Sequence, residues 1–250
     1  MPIMPIVVGI DGTGSGLMSG QRRDEEYDRV FAHSFVRKLC EETKPNRKYL
    51  RGPLLLGGDL VDAVVKGRRY ITEKRQAGVN EPILLTGYSR GGTGVVNIAM
   101  QLKDLHVRVT AMLLFDCVDM HLSLNAKEIP DNVGPVLHVR RSPLSGSRPG
   151  WGNAATRHSR PELYREEFFI CTHGGMGGTP WTVPEGKSPN DFIVEAGENT
   201  YRPPTPLPLG PLDMVSRPEL GTSVTYKQDQ DVSGQIWDYV QPFLREHGFV

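Results

Sequence analysis

The chain has 250 residues, and its 29 Lys and Arg balance 29 Asp and Glu, so no bulk field draws it to nucleic acid or to an anionic membrane surface. The length suits one large α/β domain, residues 1–250, with room for a sizeable core, and no apolar run approaches the roughly 18 residues of a membrane span. Three widely spaced cysteines, Cys40, Cys117 and Cys171, argue against a disulfide framework or a metal site, which makes a reducing cytoplasm the default compartment, with non-classical secretion as the other route.

The first ten residues carry no basic leader, and their apolar run stops at Asp11, which predicts a first strand and not a signal peptide. A Gly-rich loop follows, Asp11-Gly12-Thr13-Gly14-Ser15-Gly16. Neither a Gly-Lys-Ser/Thr nor the three-glycine dinucleotide spacing is present, so nucleotide binding is not expected. The amide of Gly12 or Thr13 is instead a candidate oxyanion donor, and Asp11 is either part of that loop or a turn cap. Acids at Asp24, Glu25 and Glu26 open a helix whose apolar face, Val30, Phe31, Phe35, Val36 and Leu39, runs to about Glu42; His33 falls on its surface or in the core. Lys44 to Arg51 reads as a solvated basic connector. Leu54-Leu55-Leu56-Gly57-Gly58 then leads into a second helix from about Asp59, with Leu60, Val61, Val64, Val65 and Ile71 on one side and a charged, exposed face opposite.

The next stretch is Ile83-Leu84-Leu85-Thr86-Gly87-Tyr88-Ser89-Arg90-Gly91-Gly92, continuing into Val95-Val96-Asn97-Ile98-Ala99 at helical spacing. An apolar strand, a Gly-x-Ser-x-Gly turn and a helix are the setting in which this motif is a nucleophile elbow. A serine hydroxyl is a poor nucleophile near neutral pH, so it must stand where an imidazole can take its proton. Glycines permit the sharp reversal, and the Arg90 amide at the start of the helix becomes a candidate oxyanion donor.

Downstream, Val107 to Phe115 predicts a strand ending at Asp116-Cys117-Val118-Asp119. Asp116 is the preferred acid for orienting an imidazole and Asp119 the reserve. Pro135 to Arg141 reads as a strand with His138 packed inside it. Residues 142–160 form an excursion rich in Pro, Gly and Ser that holds Trp151 and is long enough to cover a site. Glu167 to Thr172 predicts another strand, followed at once by His173-Gly174-Gly175; a histidine at a strand end among glycines is the preferred general base. A second excursion, 179–225, is too dense in proline for long helices, and Asp231 to Glu246 predicts a last helix in which Pro242 introduces a kink.

Ser89, Asp116 and His173 thus occur in the nucleophile, acid, base order of α/β-hydrolases. Gly87-Tyr88-Ser89-Arg90-Gly91-Gly92 resembles the Gly-Phe-Ser-Arg-Gly-Ala elbow of an uncharacterised α/β-hydrolase family that includes type VI secretion phospholipase effectors. Asp11-Gly12-Thr13 is similar to that family's Asp-Gly-Thr, Phe115-Asp116-Cys117-Val118 to its Trp-Asp-Thr-Val, and His173 to Gly178 to its His-Ser-Asp-Val-Gly-Gly. The resemblance implies a Ser89, Asp116, His173 triad acting on lipid esters or phospholipid acyl bonds. Gly175 stands where the family has Asp, and Gly92 where it has Ala.

The reading is therefore an α/β-hydrolase fold, a mostly parallel sheet with helices on both faces. It would cleave carboxylic esters of small molecules or lipids through an acyl-enzyme, with no metal or organic cofactor. A phospholipase would also touch a membrane peripherally. The same triad would serve an acyltransferase or thioesterase, and the alternative from another class is a catalytically silent binding module in which the glycines serve packing.

Overall fold

Short runs of aliphatic residues, uninterrupted by charge, form strands that can be buried on both faces. In the computed structural model, which describes residues 4–14, 21–41, 44–54, 59–119, 124, 126–195 and 221–250, they are β1 (Ile6–Ile10), β3 (Ile83–Tyr88) and β4 (Ala111–Phe115), joined by β5 (Val136–Arg141), which is buried likewise but ends in Arg140-Arg141. Two more polar strands, β2 (Arg47–Leu50) and β6 (Tyr164–Phe169), close the sheet at its edges in the order β2-β1-β3-β4-β5-β6. Every pairing in this sheet is parallel.

Alternate residues of each strand feed two separate layers. On one face Val8, Ile10, Leu85, Met112 and Leu114 pack with Leu60, Val64 and Ile71 of α3 (Asp59–Gln76) and Val95, Ile98 and Leu102 of α4 (Arg90–Asp104). On the other, Val7, Leu84, Leu113, Phe115 and Val139 pack with three helices. These are α1 (Gln21–Val30), α2 (Phe35–Leu39) and, near the carboxyl end, α6 (Tyr226–His247). The fold is the expected α/β-hydrolase class, with helices on both faces of the sheet.

Because β2 lies outside β1 while β3 lies inside it, the chain reverses its direction of travel across the sheet between β1 and β3. The loops leaving those two strands flank the crevice where open α/β sheets bind ligands. They are the Asp11 loop and the Ser89 turn.

Several elements differ from expectation. The basic connector is strand β2, in register with β1 from Val7 opposite Arg47 to Ile10 opposite Leu50. Its Arg47 is drawn inward because the guanidinium donates to the carbonyls of Leu39 and Phe249. The single helix expected to Glu42 is broken into α1 and α2 by a turn that leaves His33 exposed, because Ser34 is needed as the cap of α2, accepting from the Arg37 amide. Strand β4 is shorter than the expected Val107 start, and β6 ends before Thr172. His173 instead opens a short turn of helix, α5 (His173–Met176), capped by Thr172. The last helix starts at Tyr226 and continues through Pro242. Within the 179–225 excursion, β7 (Phe192–Val194) pairs antiparallel with β8 (Gly221–Thr225); the prolines from Pro203 to Pro218, with Tyr201 and Leu207, lie outside the described residues, as do Ser15, Gly16 and residues 55–58. Among the described residues no helix is long and apolar enough to cross a membrane.

Candidate active site

Ser89 joins β3 to α4 with φ 55 and ψ −130, a backbone state that is costly for a residue with a side chain and persists only where packing over-determines it. The packing is visible at two glycines. A Cβ on Gly87 would come within 2.7 Å of the Gly91 carbonyl oxygen, and one on Gly91 would collide with the carbonyls of Ile10 and Asp11. Helix α4 therefore abuts the end of β1, and the turn has no wider alternative.

The structure brings the three preferred residues together. Ser89 Oγ lies 2.8 Å from His173 Nε2, and His173 Nδ1 lies 2.6 Å from Asp116 Oδ2. With the carboxylate accepting the Nδ1 proton, Nε2 is left as the acceptor facing the hydroxyl. Asp116 stands just past β4, its amide donating to Val139 O at 2.8 Å. Asp119, the reserve acid, is exposed, and Asp116 is the carboxylate that meets the imidazole.

His173 is held by three separate elements. Its amide donates to Ser147 Oγ at 2.9 Å and its carbonyl accepts from the Tyr88 hydroxyl at 2.8 Å. The preceding residue, Thr172, is clamped to Asp229 of α6 through its amide at 2.7 Å and its hydroxyl at 2.9 Å. The ring packs between Tyr88 and the edge of Trp151, centroids 4.9 and 4.8 Å away, so the 142–160 excursion does reach the candidate base. Ser89 is 2% exposed and His173 4%.

Of the loop amides, that of Gly12 donates to the Asp11 carboxylate at 3.0 Å, which leaves Thr13 as the loop donor to consider. Thr13 is tied to the elbow because its hydroxyl accepts from Arg90 Nε at 2.7 Å, while Arg90 Nη2 donates to Leu54 O at 2.9 Å. Arg90 itself opens α4, so its amide sits in the first turn beside Ser89.

The residue that sequence reasoning missed is Arg141, the last of β5. Its buried guanidinium contacts Asp116 Oδ2 and lies 3.3 Å from His173 Nδ1. Burial would raise the Asp116 carboxyl, but Arg141 and His173 hold it well below the usual carboxylate range. Burial pushes the His173 imidazole down to about 4, a fall that Asp116 opposes and Arg141 and Arg148 deepen. Strand alternation does not single Arg141 out: in β5 it shares the face of the buried Leu137 and Val139, and Arg140 that of the buried Val136 and His138, and Arg140 pairs with Glu166.

The other histidines considered have structural roles. His138 is buried in β5 and its Nε2 accepts from the Cys117 amide at 3.1 Å; His158 bridges Val133 O and the Arg160 amide. Two clefts, of about 580 and 820 Å³, open elsewhere on the surface, and neither is lined by Ser89, Asp116 or His173. Among the described residues no cluster of three or more His, Cys, Asp or Glu is placed to hold a metal.

No protein-family model matches the chain, and no curated protein matches it. Among solved structures it is similar to the NocB thioesterase domain from the nocardicin cluster, with 14% identity over 68% of this chain and 85% of that one and a TM-score of 0.38. It is similar to ESTFA in its Fe-lacking apo form, with 13% identity over 70% of each chain and a TM-score of 0.35. The Vlm2 thioesterase domain matches with 11% identity over 69% of this chain and 86% of that one, at a TM-score of 0.33. Likenesses this remote carry no argument about substrate, and none ties the chain to the phospholipase-effector family its motifs resemble.

Proposed function

We propose that the protein is a serine hydrolase that cleaves carboxylic esters through an acyl-enzyme intermediate. The observation that carries the reading is the continuous relay from the Ser89 hydroxyl through both ring nitrogens of His173 to the Asp116 carboxylate. His173 Nε2 takes the Ser89 proton as Oγ attacks the ester carbonyl, and Asp116 fixes the tautomer and stabilises the imidazolium that forms. The imidazolium then protonates the departing alcohol, the acyl group stays on Ser89, and water releases it by the same steps in reverse.

The developing oxyanion would be met by the amides of Arg90 and Thr13, and loss of one such donor typically costs roughly 100- to 1000-fold in rate. The relay itself does not select the leaving group. Phospholipid acyl bonds enter through the motif resemblance, and an alcohol or thiol carrier that outcompetes water would mark an acyltransferase or thioesterase.

The test is turnover of a series of 4-nitrophenyl esters and phospholipids of graded acyl length by the wild type and by Ser89→Ala. The reading expects turnover that vanishes in the variant while the melting curve stays nearly unchanged. Turnover that survives the substitution would mean another nucleophile, and none in the wild type would favour a silent binding module.

A further inference from the structure

A relay of serine, imidazole and carboxylate needs one negative charge and one neutral ring. This site adds a cation in contact with both. Arg141 is not a flexible side chain that has fallen inward: its Nε donates to Ser147 O at 2.9 Å and its Nη2 to Arg148 O at 3.0 Å. Those two bonds fix the guanidinium fork so that Nη1 faces Asp116 Oδ2 and the Nδ1 edge of His173. The Arg141 amide also approaches Asp116 Oδ1, at 3.4 Å.

Resting on the hydrolase reading above, we propose that Arg141 is a positioning residue: it keeps Asp116 ionised and aimed at the ring, and it keeps the resting imidazole free of a second proton, so that the site works in acid. The first half follows from burial. A carboxyl with no exposed surface keeps its proton to a higher pH unless an opposite charge stands beside it, and a protonated Asp116 would no longer fix the ring as an acceptor. The second half follows from the shared oxygen. Nη1 and Nδ1 both bear hydrogens and both converge on Oδ2, so the 3.3 Å between them is a contact of two donors and not a hydrogen bond. A proton added at Nε2 would make the ring a cation against a fixed guanidinium, and the repulsion opposes it.

The other groups around His173 do not cancel this charge. Tyr88 comes from β3, Ser89 from the elbow, Trp151 and Arg148 from the 142–160 excursion, and Thr172 with Cys171 from the link between β6 and α5. Two further carboxylates lie one residue away and are engaged there, Glu195 with Ser147 and Arg148 and Asp229 with Thr172 and the Trp181 amide. The same cation also opposes the imidazolium that forms during attack, so Arg141 sets the pH range of the reaction more than its ceiling.

The experiment is kcat/KM against pH for a soluble ester, with the full-length wild type, Arg141→Lys and Arg141→Gln. The wild-type acid limb should lie well below the ordinary histidine value of about 6.5. Arg141→Gln should move it up by about one to three pH units, while Arg141→Lys, which keeps the charge but not the fork, should hold the limb near the wild type even where its rate is lower. An unmoved limb in Arg141→Gln, or equal shifts in both variants, would overturn the proposal, as would a wild-type limb at or above the ordinary value even if neither variant folds. If Ser89-dependent turnover is absent altogether, the hydrolase reading fails. NMR titration of the His173 ring in the wild type and Arg141→Gln then tests Arg141 separately: a ring neutral near pH 5.5 in the wild type but protonated there in the variant upholds it, and a ring that titrates alike in both ends it.

Discussion

Asp11 and Asp116 occupy equivalent places, each just past the carboxyl end of a central parallel strand and each sealed from water, yet their carboxyls shift in opposite directions. Asp11 is surrounded by neutral donors, the Ser34 hydroxyl, the Tyr49 hydroxyl at 3.0 Å and the Gly12 amide at 3.0 Å. These, with the charge of Arg37 farther off, only partly offset burial, which pushes its carboxyl up to about 6. Asp116 suffers the same burial and is nonetheless held far down by the Arg141 guanidinium and His173. Burial is common to both, so the charged partners in contact with Asp116 are what keep its carboxylate ionised far into acid, where Asp11 has already taken up a proton. Asp11 serves architecture instead, tying the Gly12 loop to the cap of α2 and to β2, with the Tyr27 hydroxyl bridging Gly12 O and the Gly52 amide at 2.6 Å each.

The contrast can be broken first at Asp116. Asp116→Asn should lower kcat roughly 10⁴-fold, the loss expected when the orienting carboxylate is replaced by an amide, as read by steady-state ester hydrolysis. Asp116→Asn and Asp116→Ala should both leave Arg141 buried without its counter-charge, a destabilisation of about 3–5 kcal/mol that a fall in Tm would register.

Asp11→Asn sharpens the comparison through pH. The folded state binds the Asp11 proton more tightly than the unfolded chain, its carboxyl standing at about 6 against 3.8. Its contribution to stability is therefore largest below about pH 4 and is lost as pH rises toward 6. The stability advantage of the wild type over Asp11→Asn should narrow across that window in urea unfolding, and an advantage that widens would contradict the assignment. Tyr49→Phe removes one neutral donor and should cost about 1 kcal/mol. Asp119→Ala, at an exposed carboxylate, should leave activity near wild type and stability within about 0.5 kcal/mol.

What was legible in the sequence follows the same physics. The stretch from Ile83 to Asp104 announced itself because an unbroken apolar strand, a glycine-crowded turn and a helix are each local patterns, and Asp116 and His173 could be placed by their positions past strands. Strand β2 was not legible, since an edge strand is only half covered and Arg47 and Lys48 gave it the composition of a loop. The break between α1 and α2 was hidden because Ser34 is needed by Asp11, 23 residues earlier in the chain, and not by its immediate neighbours. Arg141 was invisible as a site residue for a like reason: Asp116 lies 25 residues earlier and His173 32 residues later, and the alternation along β5, buried on both faces, does not separate it from Arg140. The clamp of Asp229 on Thr172 likewise spans 57 residues and leaves no local mark.

The central claim is that Ser89 is an activated nucleophile, and the most direct measurement is the mass and site of a fluorophosphonate adduct on folded protein. A single adduct on Ser89 that disappears in Ser89→Ala and in His173→Gln is the predicted result. An unmodified Ser89, or labelling that persists without the imidazole, would contradict it.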